Sequence, residues 1–170
     1  NTEVVPFDLG SAWFAGQIYD PCPVDDEGDA SRIKVYVSGM TSPTPSGTES
    51  IGLFHVDKAD VTDPANWTEV GQVLQATGGV GDPDRYHVRL GSIFWNPNAS
   101  EYWMYYTGEA DSGDSGPPGI CHICLATSAD GETFTRYGSN PILCGNGGDE
   151  NRVEEPDVIP PWISGLSIWV

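Results

Sequence analysis

The chain is 170 residues long and carries a formal net charge of −18, from 25 acidic residues against seven basic ones. Such a surface repels phosphate backbones and anionic headgroups, which disfavours nucleic acid and membrane surfaces as partners, and no apolar run is long enough to cross a bilayer. With 21 glycines and 14 prolines the chain needs frequent turns and has little room for long helices, and its 38% hydrophobic and 11% aromatic content fits a strand-rich globule.

Residues 1–16 alternate apolar positions and end in the pair Trp13–Phe14, which predicts a lead-in strand or an outer latching strand. QIYDPCPV (17–24) reads as a short strand whose two prolines keep it out of the middle of a ladder. An acidic loop follows over 25–31, then RIKVYVSGM (32–40), whose clean alternation predicts a strand. The turn-rich SPTPSGTES (42–50) leads into the strand SIGLFHV (50–56), and NWTEVGQVL (66–74) supplies a shorter fourth strand. The same order then returns. VRLGSIFW (88–95) is a first strand, NPNAS a turn, and EYWMYYTG (101–108) a second strand. A loop rich in Gly, Pro and Asp spans 109–119, GICHICLATS (119–128) is the third strand, ADGE a turn, and TFTRYG (133–138) the fourth. A further unit opens at EEPDVIPP (154–161), and GLSIWV (165–170) starts its second strand.

The two halves match in detail. VYVSG (35–39) corresponds to MYYTG (104–108), IGLF (51–54) to ICLA (123–126), and Gly39 and Gly108 stand 69 residues apart. A repeat of that length, built of four short strands without helical periodicity, predicts an all-β propeller with four-stranded antiparallel blades. The first blade spans about 17–75, the second about 86–145, and a third begins over about 153–170. Because a propeller closes only with all its blades, a chain holding two and a half is expected to self-associate through open strand edges and to be inactive alone.

Cys22, Cys121, Cys124 and Cys144 make an even count, and with the acidic, lysine-poor surface they permit an extracellular or periplasmic location. Asn1 opens the chain with no recognisable leader. Cys121 and Cys124 form a C-x-x-C inside a predicted strand, where residues three apart face opposite sides, so a shared metal is not expected. Buried thiols, or one disulfide to Cys144 or Cys22, are the open alternatives. The acidic runs DDEGD (25–29) and DSGDSG (111–116) offer oxygen ligands for calcium but lack the EF-hand spacing, and no cofactor is expected. Sequons stand at Asn66 and Asn98.

The combination of an Asp-Pro early in a blade, YWMYYTG, ICLATSADGETF and NPIL resembles the five-bladed β-propeller glycoside hydrolases, a superfamily that includes arabinanases and β-xylosidases, invertases and levanases, and mannoside phosphorylase relatives. The resemblance runs from about residue 17 onward. It implies catalytic carboxylates at the mouth of a central channel, contributed by different blades, and a carbohydrate substrate. By resemblance Asp20 matches the first-blade aspartate acting as general base or nucleophile, and Glu155, or alternatively Asp157, matches a second carboxylate. The second blade offers Arg89-Leu90-Gly91 at the same place, so Arg89 or His87 would line the pocket instead, and the general acid would come from a later blade. Trp13, Trp95 and Trp162 are candidates for stacking on sugars, although tryptophan on a strand is more often core. Ser128–Phe134 looks like a shortened Asp-box turn, which makes Asp130 architectural.

A non-catalytic carbohydrate-binding or surface propeller that kept the scaffold and lost the acids is the alternative function. A sialidase relative fits poorly, because the five arginines are scattered rather than grouped on a carboxylate.

Overall fold

Alternation dictates the architecture. In a computed structural model that describes residues 11–42, 47–110, 119–144 and 152–160, the chain forms two antiparallel sheets. The first contains β1 (Gln17–Asp25), β2 (Arg32–Met40), β3 (Glu49–Asp57) and β4 (Thr68–Gln75), paired in sequence order. The second contains β5 (His87–Asn96), β6 (Glu101–Glu109) and β7 (Cys121–Ser128), with two short strands, β8 (Thr135–Arg136) and β9 (Leu143–Cys144), both on the free edge of β7. Each sheet is one blade, four strands deep, and β1 and β5 are the inner strands. The prolines of β1 are tolerated because that strand is an edge, as its sequence requires.

The fourth strand of the second blade differs from the continuous TFTRYG run expected. Only Thr135–Arg136 of that run pairs as a strand, and beyond its end the side-chain amide of Asn140 takes over the ladder. Its Oδ1 accepts the Leu125 N–H at 2.9 Å and its Nδ2 donates to the Leu125 carbonyl at 2.9 Å. The amide of one side chain thus replaces a backbone unit between β8 and β9.

Each strand splits its residues between two faces. Tyr36, Ile51, Leu53 and Leu74 of the first blade meet Val88, Leu90, Ile93, Tyr102, Met104, Tyr106, Cys124 and Ala126 of the second in one continuous core. Val35, Val37, Phe54 and Val56 point the other way. That outer face is covered by a single 3-10 turn, Ala12–Phe14, where a strand was expected. Trp13 lies flat enough on β2 and β3 that only glycine fits beneath it: a Cβ on Gly39 would stand 2.4 Å from the indole, and one on Gly52 2.0 Å.

The blades are also stitched by polar contacts. The Tyr36 hydroxyl donates to the Gly131 carbonyl at 2.7 Å, and the Glu27 N–H donates to the Tyr102 hydroxyl at 2.8 Å. Gly131 lies in the turn read as a shortened Asp-box. There Asp130 Oδ1 accepts the Glu132 and Thr133 N–H groups at 2.8 Å and the Ser128 hydroxyl at 2.8 Å. Asp130 is therefore a turn-forming residue that fixes one blade against the other. Residues 152–160 lie against the second blade, with Arg152 bridged to Cys121 and the Val158 N–H donating to the Ser92 hydroxyl at 3.0 Å. The expected strand over 165–170, Trp162, most of the expected lead-in strand (1–10) and the acidic run 111–116 lie outside the described residues.

The cysteines are free thiols. Cys124 joins the core between the blades, while Cys121 is buried on the opposite side of the strand. Burial, reinforced for Cys121 by the Glu154 carboxylate, pushes both thiols up to about 12. In the acidic loop 25–29 the Asp26 carboxylate is already taken by Lys34 at 2.9 Å and Arg32 at 2.6 Å. A calcium ion there would have to displace two cations. No helix among the described residues is long and apolar enough to cross a membrane.

Candidate active site

The inner strands carry a repeated irregularity. In β1 the register slips between Tyr19 and Cys22, at Asp20-Pro21, and in β5 it slips between Leu90 and Ser92, at Gly91. Such bulges re-aim the side chain beside them. Glu155-Pro156 stands at the equivalent place in its segment, identified by its hydrogen bond. The Ser38 hydroxyl of β2 accepts the Leu90 N–H at 2.9 Å, and the corresponding Thr107 hydroxyl of β6 accepts the Glu155 N–H at 2.9 Å. Glu155 therefore occupies in its segment the place Leu90 occupies in the second blade. Gly91 makes this approach possible, because a Cβ there would lie 2.4 Å from the Pro156 carbonyl oxygen.

Asp20 and Glu155 share one more property. Both have left-handed backbone, at φ 52° and φ 53°, immediately before a proline. Such a conformation costs about 1–3 kcal/mol for a non-glycine residue and persists only where its surroundings enforce it. It turns each carboxylate toward the same place. Asp20, Glu155, Tyr19, Glu49 and Arg89, with Gln17, Ile18 and Met40, line an open cleft of about 450 Å³ at the starting end of the inner strands.

The electrostatics of the cleft follow from this crowding. Desolvation raises the Asp20 carboxyl above its ordinary value, the Ser38 hydroxyl donating at 3.1 Å opposes this, and the negative charges of Glu155 and Glu49 add to the rise. Arg89 is the counter-charge. Its Nε donates to Glu49 at 2.5 Å, one terminal nitrogen donates to Glu109 at 3.0 Å, and the other lies 3.7 Å from Glu154. Burial alone would ease a proton off this guanidinium, but the three carboxylates outweigh it and hold the pKa above its ordinary value. Tyr19 donates its hydroxyl to the other Glu49 oxygen, and burial with that contact raises its pKa too.

The remaining sequence candidates divide clearly. His87 is not among the residues lining the cleft; its Nδ1 accepts the Glu49 N–H at 3.2 Å. Asp157 lies outside the residues lining the cleft and is exposed; its charge acts on the Cys22 thiol instead. Trp13 is buried on the far face of the first blade, where its indole donates to Glu69 at 2.7 Å, so it does not reach the cleft. Trp95 stands at the opposite end of β5, six residues beyond Arg89 and about 20 Å along the strand. The sequence reading missed Glu49, Glu109 and Tyr19. Only the repeat marked Tyr19, as the residue before the acid, and nothing marked Glu49, which follows a turn-rich loop.

No family model matches the chain, and no curated protein matches it in sequence. Solved structures do. A complex of BT0996 and RGII superposes with a TM-score of 0.55 at 16% identity, over 74% of this chain and 37% of the other. The Bombyx mori GH32 beta-fructofuranosidase BmSUC1 superposes with a TM-score of 0.54 at 17% identity, over 83% of this chain and 27% of the other. The fold is thus one found in glycoside hydrolases, in agreement with the resemblance carried by the sequence motifs, and the chain matches about a third of the length of these structures.

Proposed function

We propose that this chain supplies the first blades of a glycoside hydrolase, with Asp20 as general base or nucleophile and Glu155 as its partner carboxylate. One observation carries the reading: two carboxylates far apart in the chain, each in left-handed backbone immediately before a proline, line one cleft. Glycoside cleavage passes through an oxocarbenium-like state that needs a carboxylate on one side of the ring and a proton donor on the other. Mounting the carboxylates on separate blades fixes their spacing and gives them different surroundings. Asp20, raised by desolvation and by the neighbouring charges of Glu155 and Glu49, is a stronger base than an isolated aspartate. The general acid belongs to a part of the ring beyond these blades. Arg89, saturated by three glutamates, acts as a frame for the acidic rim rather than as a substrate ligand. An extracellular or periplasmic location is part of this reading and is supported by the acidic, lysine-poor surface.

The test is turnover of a panel of aryl-glycosides by the full-length protein carrying Asp20→Asn or Glu155→Gln. Each is expected to lower turnover by about 10²–10⁴-fold. Undiminished turnover in Asp20→Asn removes that residue from the mechanism. Binding of oligosaccharides without any turnover in the parent protein marks the non-catalytic carbohydrate-binding alternative.

A further inference from the structure

A second cavity lies between the two blades at the end away from the carboxylates. It measures about 480 Å³ and is walled by the β1–β2 turn, the end of β5, the start of β6 and the Asp-box-like turn. Its lining includes Trp95, Tyr102, Lys34, Arg32, Glu27 and Glu132. Volumes of this size hold small organic ligands, which such sites orient with a few polar groups around an aromatic wall.

Three features make this more than a gap. Trp95 is braced edge-on by Tyr102, with ring centroids 5.0 Å apart and planes at 66°, so the indole is held in one orientation. Lys34 is 2% exposed, yet among the described residues its three N–H donors meet a single carboxylate, that of Asp26 at 2.9 Å. Its remaining donor capacity lies at the cavity wall, with the Tyr102 ring 5.8 Å away. The frame is also rigid, because the Tyr102 hydroxyl accepts the Glu27 N–H and Asp130 Oδ1 is committed to its own turn.

We propose that this inter-blade cavity is a second, non-catalytic glycan-binding site, in which a neutral sugar ring stacks on Trp95 and its hydroxyls bond Lys34 and the flanking carboxylates. A flat aromatic beside both donors and acceptors suits a polyhydroxylated ring, which presents apolar C–H faces and equatorial hydroxyls. The lining holds the acids Glu27, Asp130 and Glu132 against two cations, and Asp26 engages both of those cations. That excess of negative charge selects against uronic or sulfated sugars. The site stands apart from the carboxylate cleft and does not depend on the hydrolase reading.

The test uses the full-length protein with xylohexaose, mannohexaose and cellohexaose as neutral probes and an oligogalacturonate as the acidic one. Hydroxyl-radical footprinting reads Trp95 directly in the unmutated protein, and calorimetry reads affinity. Protection of Trp95 by at least one neutral probe is expected, with Trp95→Ala weakening that binding about tenfold, the equivalent of one lost aromatic face. Glu132→Gln, at an exposed position, keeps the fold and weakens binding, while Trp95→Phe largely preserves it. Asp20→Asn leaves the Trp95 protection intact, which separates this site from the cleft. Absence of protection by every neutral probe, protection by the oligogalacturonate alone, or binding that survives Trp95→Ala would overturn the proposal.

Discussion

At the scale of single residues, Arg89 carries the greatest electrostatic weight. It pairs with Glu49 and Glu109, drawn from different strands, and reaches Glu154, which is held more closely by Arg152. Replacing it by methionine keeps the volume and strands the acids, so Arg89→Met is expected to lose on the order of 3 kcal/mol of stability, read by urea denaturation. Two aspartates should move stability in opposite directions with pH. Asp20 has a folded-state pKa raised by desolvation, so its contribution is fully present below the unfolded value and is lost as pH rises through the folded one. Asp20→Asn should therefore raise the melting temperature at neutral pH and change it little in acid. For Asp26, burial pushes upward, but the hydrogen bonds from Lys34, Arg32 and the Gly28 N–H win and lower its pKa. Its contribution is present above the unfolded value and is lost as pH falls through the folded one, so Asp26→Asn should destabilise at neutral pH and progressively less on acidification. Parallel pH–melting series on the two variants check both signs.

At the scale of strands, the hydroxyls of Ser38 and Thr107 decide where the acids sit. Thr107 is outside the cleft, yet its hydroxyl holds the Glu155 N–H. Thr107→Val is expected to cost about 1–2 kcal/mol through the unpaired amide and to lower turnover of the full-length protein, while Thr107→Ser restores both. The pair was visible in the sequence as the repeated Ser-Gly and Thr-Gly, but its role was not, because a hydroxyl that bridges blades looks the same as any strand serine. Alternation made β2, β3, β5, β6 and β7 legible, since period-two patterning survives without knowledge of partners. The break between β8 and β9 was not legible, because Asn140 imitates backbone and leaves no break in composition. Trp13 was legible as important and not as core: what buries it is the absence of side chains at Gly39 and Gly52, in two strands distant from it in sequence. Asp20 and Glu155 could be picked out only through the family resemblance, which matched the acid before a proline at the start of a unit. Glu49 could not, since its place beside Arg89 depends on how β3 packs against blade two rather than on any local pattern.

For the whole molecule, the two blades share one core and leave β4 as an outer edge with mostly exposed residues. The 170-residue chain produced alone is therefore expected to elute in sizing chromatography as an associated species with a broad melt. A sharp monomeric peak with a cooperative transition would contradict that. The Ser38 and Thr107 contacts beside the acids run in one direction along the chain. Ser38 of the first blade receives an amide from the second, and Thr107 of the second receives one from the segment that follows. Each of these two hydroxyls seats a segment that comes after it in the chain, although the blades also lean on each other through their shared core and the Tyr36–Gly131 bond. A ribosome delivering this polypeptide from its amino end would make the Ser38 and Thr107 acceptors before the amides they hold, so the Glu155 carboxylate is the last of these groups to find its seat.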